Sequence, residues 1–179
     1  MIRKRGRRVP PSSTLKIRLL ANKFREVFAE LGAPRSGRVD IIDILDCALP
    51  GILPDFVLDV VPDSELGEDH AQTFPDRLLI KVKESVYEGA RKGLGRDIFT
   101  LAHELGHLFL HRNISSYARS NTSTNHKLFE DSEWQADCFA AEFLMPYEEV
   151  MMCRSVEEVM KRFGVSHKAA EVRFGKIKK

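Results

Sequence analysis

The chain has 179 residues, of which 43% are hydrophobic, and a formal net charge of +2 at pH 7. These values are typical of an ordinary soluble domain with a single core. Because no apolar run reaches the length of a membrane span and no apolar signal region follows the basic N-terminus, we expect neither a membrane protein nor a secreted one. Cys47, Cys138 and Cys153 form no C-x-x-C pair, which predicts reduced thiols and a cytoplasmic location.

The first segment, residues 1–12, contains five basic residues and then Pro10 and Pro11. No periodic apolar residues are available to fold it, so we predict a disordered basic arm. Such an arm can attract the phosphates of nucleic acid, but a solubilising tail is the preferred interpretation.

Two helices are predicted to follow the arm. Ser12 and Ser13 are typical capping residues, and the helical pattern after them stops at Gly32 and Pro34. The predicted buried face of this first helix comprises Leu15, Leu19, Leu20, Lys23, Val27 and Leu31. A second, short helix is predicted over residues 40–49. Its predicted buried residues are Ile41, Ile44 and Leu45.

Two runs rich in β-forming residues, 56–61 and 77–82, predict strands of a small sheet. An edge strand beside a metal cleft can pair with an extended peptide substrate, but the sequence does not indicate which strand forms the edge. A helix predicted over residues 84–91 then leads, through the loop 93–96, to the central part of the chain.

The central motif is His-Glu-Leu-Gly-His at residues 103–107, inside a helical pattern over 99–111. Residues four apart share a helix face, so His103 and His107 point the same way and can hold one metal ion. Glu104 follows the first histidine directly, which places its carboxylate beside the metal, where it can take a proton from a water molecule. The competing interpretation is a buried helix with two core histidines.

A third ligand is expected, because a catalytic zinc takes three protein ligands and leaves one position for water. His111 lies about 12 Å along the helix axis from His103, too far to share a metal with both other histidines, and is rejected. The better candidate is Glu133, in a second helical pattern over residues 130–145.

Asp137 lies one turn after Glu133 and can accept a hydrogen bond from the outer nitrogen of a ligating histidine. The competing interpretation of both carboxylates is a solvated acidic helix face. The other residues on the helix face that carries Glu133 and Asp137 are apolar, which argues against a solvated face. Two of them are small and allow close helix packing. Those other residues are Ala136, Ala140 and Leu144.

A polar loop, residues 112–127, separates the two metal helices and is expected to rim or cover the cleft. Three of its residues are candidates for stabilising a tetrahedral oxyanion, but an exposed side chain without a role is the preferred interpretation of each. These candidates are Tyr117, Arg119 and His126.

Two or three short helices are predicted after Pro146, over residues 147–153, 156–163 and 167–176. The spacing of the turn at residues 163–166 is similar to that of a helix-turn-helix, and the last helix is basic, which makes DNA binding a second hypothesis. Apolar residues occupy much of that helix, so a cap that packs on the preceding core is favoured.

Two strings of the sequence resemble the ImmA/IrrE-type zinc-dependent metallo-endopeptidases: F-T-L-A-H-E-L-G-H-L-F-L-H at 99–111 and E-W-Q-A-D-C-F-A-A-E-F-L-M-P at 133–146. A weaker likeness lies at 80–91, and the resemblance extends over about residues 40–175. It implies His103, His107 and Glu133 as metal ligands and Glu104 as catalytic base. Asp137 stands where the family frequently has asparagine.

We therefore predict an α+β fold with a zincin-like, gluzincin-type core, mostly helical with a small twisted sheet. The predicted division is a disordered basic arm (1–12), a peptidase domain (13–146) and a C-terminal helical, helix-turn-helix-like cap (147–179). Zn²⁺ is the expected metal, although this ligand set excludes neither Mn²⁺ nor Fe²⁺.

The resemblance implies a cytoplasmic endopeptidase of a prokaryote or its mobile elements. Its substrate would be another protein, often a helix-turn-helix repressor whose cleavage switches genes on. The alternative is a non-catalytic protein that binds DNA or a regulator and uses the zincin fold as a scaffold. Glu104 argues against this alternative, because a scaffold has no need of a carboxylate adjoining the first ligand.

Overall fold

A computed structural model describes residues 6–114 and 126–178. Its helices are α1 (Thr14–Glu30), α2 (Ile41–Asp43), α3 (Leu49–Ile52), α4 (Glu84–Arg91), α5 (Gly95–Leu110), α6 (Ser132–Leu144), α7 (Tyr147–Met152), α8 (Val156–Phe163) and α9 (His167–Ile177), and its strands are β1 (Val57–Val61), β2 (Ala71–Phe74) and β3 (Leu79–Lys83). A π-helical turn, Ile44–Ala48, makes α2 and α3 one continuous helical stretch. The predicted α+β fold, mostly helical with a small sheet, is confirmed.

The sheet has the order β1-β3-β2. β3 pairs with β1 in parallel, Ile80 opposite Leu58, and with β2 in antiparallel, Ile80 opposite Thr73. β1 and β3 confirm the two predicted strands, whereas β2 was not predicted. Ile80 and Val82 of β3 are fully buried. The face that carries Ile80 and Thr73 turns towards α5, which places β2 beside the predicted metal helix.

Helices α5 and α6 pack closely where Gly106 meets Ala136. A Cβ atom at Gly106 would lie 3.1 Å from the Ala136 carbonyl oxygen and 3.2 Å from the Phe139 Cβ atom. The absence of a side chain at Gly106 therefore sets the distance between the two helices. Leu101 and Leu105, on the other side of α5, are fully buried and anchor this helix in the core.

The N-terminal segment differs from the prediction. Residues 6–12 run alongside residues 129–132, with the Val9 N–H donating to the Glu130 carbonyl (2.8 Å) and the Ser132 N–H donating to the Arg7 carbonyl (3.0 Å). The Val9 side chain is buried. The prediction of a disordered arm is therefore wrong for residues 6–12, while residues 1–5 lie outside the described part of the chain.

Helix α1 confirms the predicted helix but not its predicted buried face. Ser13 caps its N-terminus, where its Oγ atom accepts a hydrogen bond from the Lys16 N–H at 3.2 Å. The exposed fractions of Leu15 and Leu19 are 61% and 63%, and the helix instead buries Ile17, Ala21, Arg25 and Phe28. On this face the buried Arg25 guanidinium donates to the backbone carbonyls of Phe143 (2.9 Å) and Gly37 (3.1 Å).

The C-terminal helices α7 to α9 form where they were predicted. Gly164 ends α8 in the left-handed region at φ +66°, and the Ser166 side chain caps α9. Arg173 of α9 is buried and binds both carboxylate oxygens of the fully buried Glu142 in α6. None of the described helices has the length and apolar character needed to cross a membrane.

Candidate metal centre

The structure brings together the three predicted ligands. The Nε2 atoms of His103 and His107 on α5 lie 3.0 Å apart. Glu133, in the first turn of α6, places Oε2 3.3 Å from His103 Nε2 and Oε1 3.3 Å from His107 Nε2. One ligand atom from each residue lies within 4.8 Å of the other two. Two imidazole nitrogens bound to one tetrahedral zinc are about 3.3 Å apart, so the residues present fit the ion.

Contacts among the clustered side chains shift the pKa values of Glu133 and His103. Hydrogen bonds to His103 and His107 hold the pKa of Glu133 far below its ordinary value. Burial lowers the pKa of His103, but hydrogen bonds to Asp137 and Glu133 outweigh it and raise this pKa to about 10. Glu133 is therefore fully ionised at neutral pH, as a carboxylate ligand must be.

Asp137 contacts the outer nitrogen of the first histidine. Its Oδ1 atom lies 2.8 Å from His103 Nδ1. A carboxylate only accepts hydrogen bonds, so Nδ1 carries the proton and the Nε2 lone pair of a neutral His103 is left for a metal. This is the contact that the sequence predicted for Asp137.

His111, rejected as a ligand, lies on the outer side of His107. Its Nδ1 atom is 2.9 Å from His107 Nδ1, and its Nε2 atom is 3.3 Å from the Gln135 Oε1 atom. Burial, with the neighbouring His107, lowers the pKa of His111 to about 4. Sequence reasoning missed this contact, although the four-residue spacing already placed His111 on the face of α5 that carries His107.

Glu104, the predicted general base, lines the same cleft as His103 and contacts β2 through Thr73. Its side chain is mostly buried, with an exposed fraction of 7%. Its Oε2 atom accepts a hydrogen bond from the Thr73 hydroxyl at 2.6 Å. Because β2 was not predicted, sequence reasoning did not identify Thr73 as a partner of Glu104.

A cleft of about 280 Å³ opens between β2 and the metal helices. The start of β2 with the two residues before it, the second and third turns of α5, and Asp137 of α6 line it. These residues are Asp69, His70, Ala71, Phe99, Thr100, His103, Glu104 and Asp137.

The three loop candidates for an oxyanion site have different outcomes. Tyr117 and Arg119 lie outside the described residues. His126 is buried, with Nε2 2.9 Å from Asp131 Oδ2, so the expectation of an exposed side chain is wrong for this residue. Asp131 also caps α6 by accepting from the Trp134 N–H, which ties His126 to the start of the helix that carries Glu133.

Comparisons with known proteins indicate the family and the fold of the chain. The family model of peptidase family M78, described as the IrrE N-terminal-like domain, matches residues 59–174, more than half of the chain. A Mycobacterium tuberculosis transcriptional regulator has a similar fold, with a TM-score of 0.56 and 21% identity over 88% of this chain and 46% of that one. The present chain thus spans about half the length of that protein. No curated protein gives a significant match. By this match to the IrrE N-terminal-like domain over more than half of its length, the chain belongs to the ImmA/IrrE-type family.

Proposed function

We propose that the protein is a zinc-dependent metallo-endopeptidase that cleaves a regulator protein in the cytoplasm. One observation supports this most strongly: two imidazoles and the Glu133 carboxylate converge on one point, while the adjacent Glu104 carboxylate is oriented towards the cleft. Catalytic zinc sites combine three such ligands with a neighbouring base.

His103, His107 and Glu133 would hold the metal in this mechanism. A bound zinc would polarise the scissile carbonyl and make a water molecule acidic near neutral pH. Glu104 accepts the proton of the attacking water and passes it to the leaving amine, so that the peptide bond breaks as the amine departs. Its hydrogen bond to Thr73 leaves the other carboxylate oxygen, Oε1, available for this transfer.

The edge strand β2 suggests how a substrate binds. In the described part of the chain, β2 is paired on one side only, with β3, and Ala71 of β2 lines the cleft. An extended peptide can add to such an edge through backbone hydrogen bonds, which places a peptide bond beside the metal ligands. A substrate segment must therefore be extended when it is cleaved.

The proposed substrate is a transcriptional regulator, as the ImmA/IrrE resemblance implies. The similar mycobacterial structure, itself described as a transcriptional regulator, supports a link to gene regulation. The alternative is a non-catalytic protein that binds DNA through α9. It is weakened by Arg173, a basic residue of that helix, whose guanidinium is buried against Glu142 and is not available to phosphates.

The test combines metal analysis with cleavage of the repressor encoded nearest to the gene, using wild type, Glu104→Gln and Glu133→Ala. We expect about one zinc per chain in wild type and in Glu104→Gln, much less in Glu133→Ala, and cleavage by wild type only. A wild-type protein without bound metal would overturn the proposed site. Zinc bound by the wild type, together with DNA binding and no cleavage by any variant, would favour the scaffold alternative.

A further inference from the structure

One line of hydrogen bonds connects the N-terminal segment to the second metal-binding histidine. It starts at the carbonyls of Pro10 and Phe129, passes through the Gln135 side chain and His111, and ends at His107. We refer to Gln135 and His111 as the relay pair. Both side chains are buried, with exposed fractions of 2% and 8%.

The orientation of the Gln135 amide is fixed by its two backbone partners. Its Nε2 atom donates to the Pro10 carbonyl at 2.8 Å and to the Phe129 carbonyl at 2.9 Å. Carbonyl oxygens only accept hydrogen bonds, so the NH₂ group must face them. The Oε1 atom, an acceptor, therefore faces His111.

This orientation determines which nitrogen of His111 carries the proton. The Nε2 atom of His111 faces the acceptor Oε1 of Gln135, 3.3 Å away, and must donate to it. A neutral imidazole has one N–H, so the other nitrogen, Nδ1, is left with a lone pair. That lone pair accepts from the Nδ1–H of His107 at 2.9 Å.

The position of the His111 proton also determines which nitrogen of His107 can bind a metal. With its proton on Nδ1, His107 keeps the Nε2 lone pair free, and this is the atom that faces His103 Nε2 and Glu133. The Asp137 carboxylate gives a neutral His103, the form that can bind a metal, the same tautomer. The two histidine ligands are thus set in one tautomeric form by different partners, a charged carboxylate for one and a neutral imidazole for the other.

We propose that His111 and Gln135 are positioning residues that fix the tautomer and ring orientation of His107 and thereby strengthen metal binding. This inference rests on the proposed function, because it assigns these residues a role towards the same metal. It also connects residues 6–12 to the metal site, because the Pro10 carbonyl of this segment accepts a hydrogen bond from Gln135 of the relay pair.

The first test is zinc affinity, measured by competition with a chelator. His111→Phe keeps a ring of similar size but removes the acceptor, and we expect it to lower zinc affinity about 10- to 100-fold. His111→Gln, whose amide can both accept and donate, should recover most of the loss. The zinc affinity of Gln135→Leu should lie between those of His111→Phe and His111→Gln. Phe143→Leu, a buried change on α6 away from the relay, is the control and should keep wild-type affinity.

The second test reads the tautomer directly, through the ¹⁵N chemical shifts of the imidazole nitrogens in metal-free and zinc-loaded protein. We expect His111 in its Nε2–H form in the wild type, and a mixture of forms in Gln135→Leu, whereas a merely structural change would leave the shifts in place. A wild type that binds no zinc would overturn the proposed function while the metal-free shifts still test the relay. Equal zinc affinity in His111→Phe and Phe143→Leu, or an Nδ1–H form of His111, would overturn the inference alone.

Discussion

The Thr73 hydroxyl oxygen lies 2.6 Å from Glu104 Oε2, and this contact connects the edge strand to the predicted general base. The same hydroxyl lies 3.1 Å from the Glu104 carbonyl, but its single hydrogen is directed to the charged carboxylate, where the bond is stronger. Strand β2 therefore has two roles in the proposed mechanism: it forms the edge for substrate pairing and it orients the base.

Thr73→Val removes the hydroxyl with little change in shape. Hydrogen bonds to charged groups contribute about 1.5–3 kcal/mol, so we expect kcat to fall about 10- to 100-fold while zinc content and KM change little. Steady-state cleavage of the repressor measures both constants. Thr73→Ser, which keeps the hydroxyl, is the matched control, and an unchanged kcat in Thr73→Val would argue against this role.

Gly106→Ala tests the close approach of α5 and α6. The new Cβ atom would lie 3.1 Å from the Ala136 carbonyl oxygen, and backbone on a buried helix cannot move aside easily. We expect a loss of about 1–3 kcal/mol in the free energy of unfolding, measured with urea, together with weaker zinc binding as Glu133 moves outward. Gly175→Ala on α9 has open space around it and should stabilise the protein by about 0.5–1 kcal/mol. Equal stability of the two variants would contradict the packing argument.

The sequence predicted the elements whose signals are local. The apolar period, the His-Glu-Leu-Gly-His motif and the stripe through Glu133 and Asp137 lie within single helices, and α5 and α6 formed where they were expected. The sequence also predicted that the small side chains of Ala136 and Ala140 would let α6 approach α5 closely, and the structure places Ala136 against Gly106.

The missed features depend on partners far away in sequence. Strand β2 has only the residues Ala-Gln-Thr-Phe, too weak a β pattern without its pairing to β3. Residues 6–12 are ordered by hydrogen bonds to backbone carbonyl and amide groups about 120 positions later in the sequence. The composition of residues 1–12 alone therefore could not predict this order. On α1, Arg25 is buried and two backbone carbonyls, those of Phe143 and Gly37, satisfy its guanidinium, which the helical pattern alone does not indicate.

Arg173→Met should destabilise the protein strongly. Glu142 has an exposed fraction of 0% and is bound by Arg173 from α9 and by Arg18 from α1. Removal of one partner leaves a buried carboxylate undercompensated, which costs about 3–5 kcal/mol. Chemical unfolding measures this loss. Lys176→Met, an exposed basic residue on the same helix, should change stability by less than about 0.5 kcal/mol. If α9 instead bound DNA through Arg173, its substitution would weaken DNA binding without this loss of stability.

Zinc binding should release a proton from His103. In the metal-free protein, burial lowers the pKa of His103, but hydrogen bonds to Asp137 and Glu133 outweigh it and raise this pKa to about 10. The ring is therefore protonated at pH 7, and zinc must displace that proton before it binds Nε2.

The sign of the pH dependence follows from the same shift. Because the folded-state pKa lies above the ordinary value of 6.5, the proton stabilises the metal-free fold fully below pH 6.5, and this contribution disappears as the pH rises through about 10. Zinc affinity should change in the opposite sense and increase with pH, by about tenfold per unit up to the His103 pKa.

Calorimetric titrations with zinc at pH 7, in buffers of different ionisation enthalpy, count the released protons. Wild type should release about one from His103. Asp137→Asn keeps an acceptor for the His103 Nδ1–H but removes the charge that favours the protonated ring, so it should release fewer protons and show a shallower dependence on pH. Zinc binding by wild type without proton release at pH 7 would show that His103 is already neutral, and the carboxylates of Asp137 and Glu133 would then be less effective than their distances suggest.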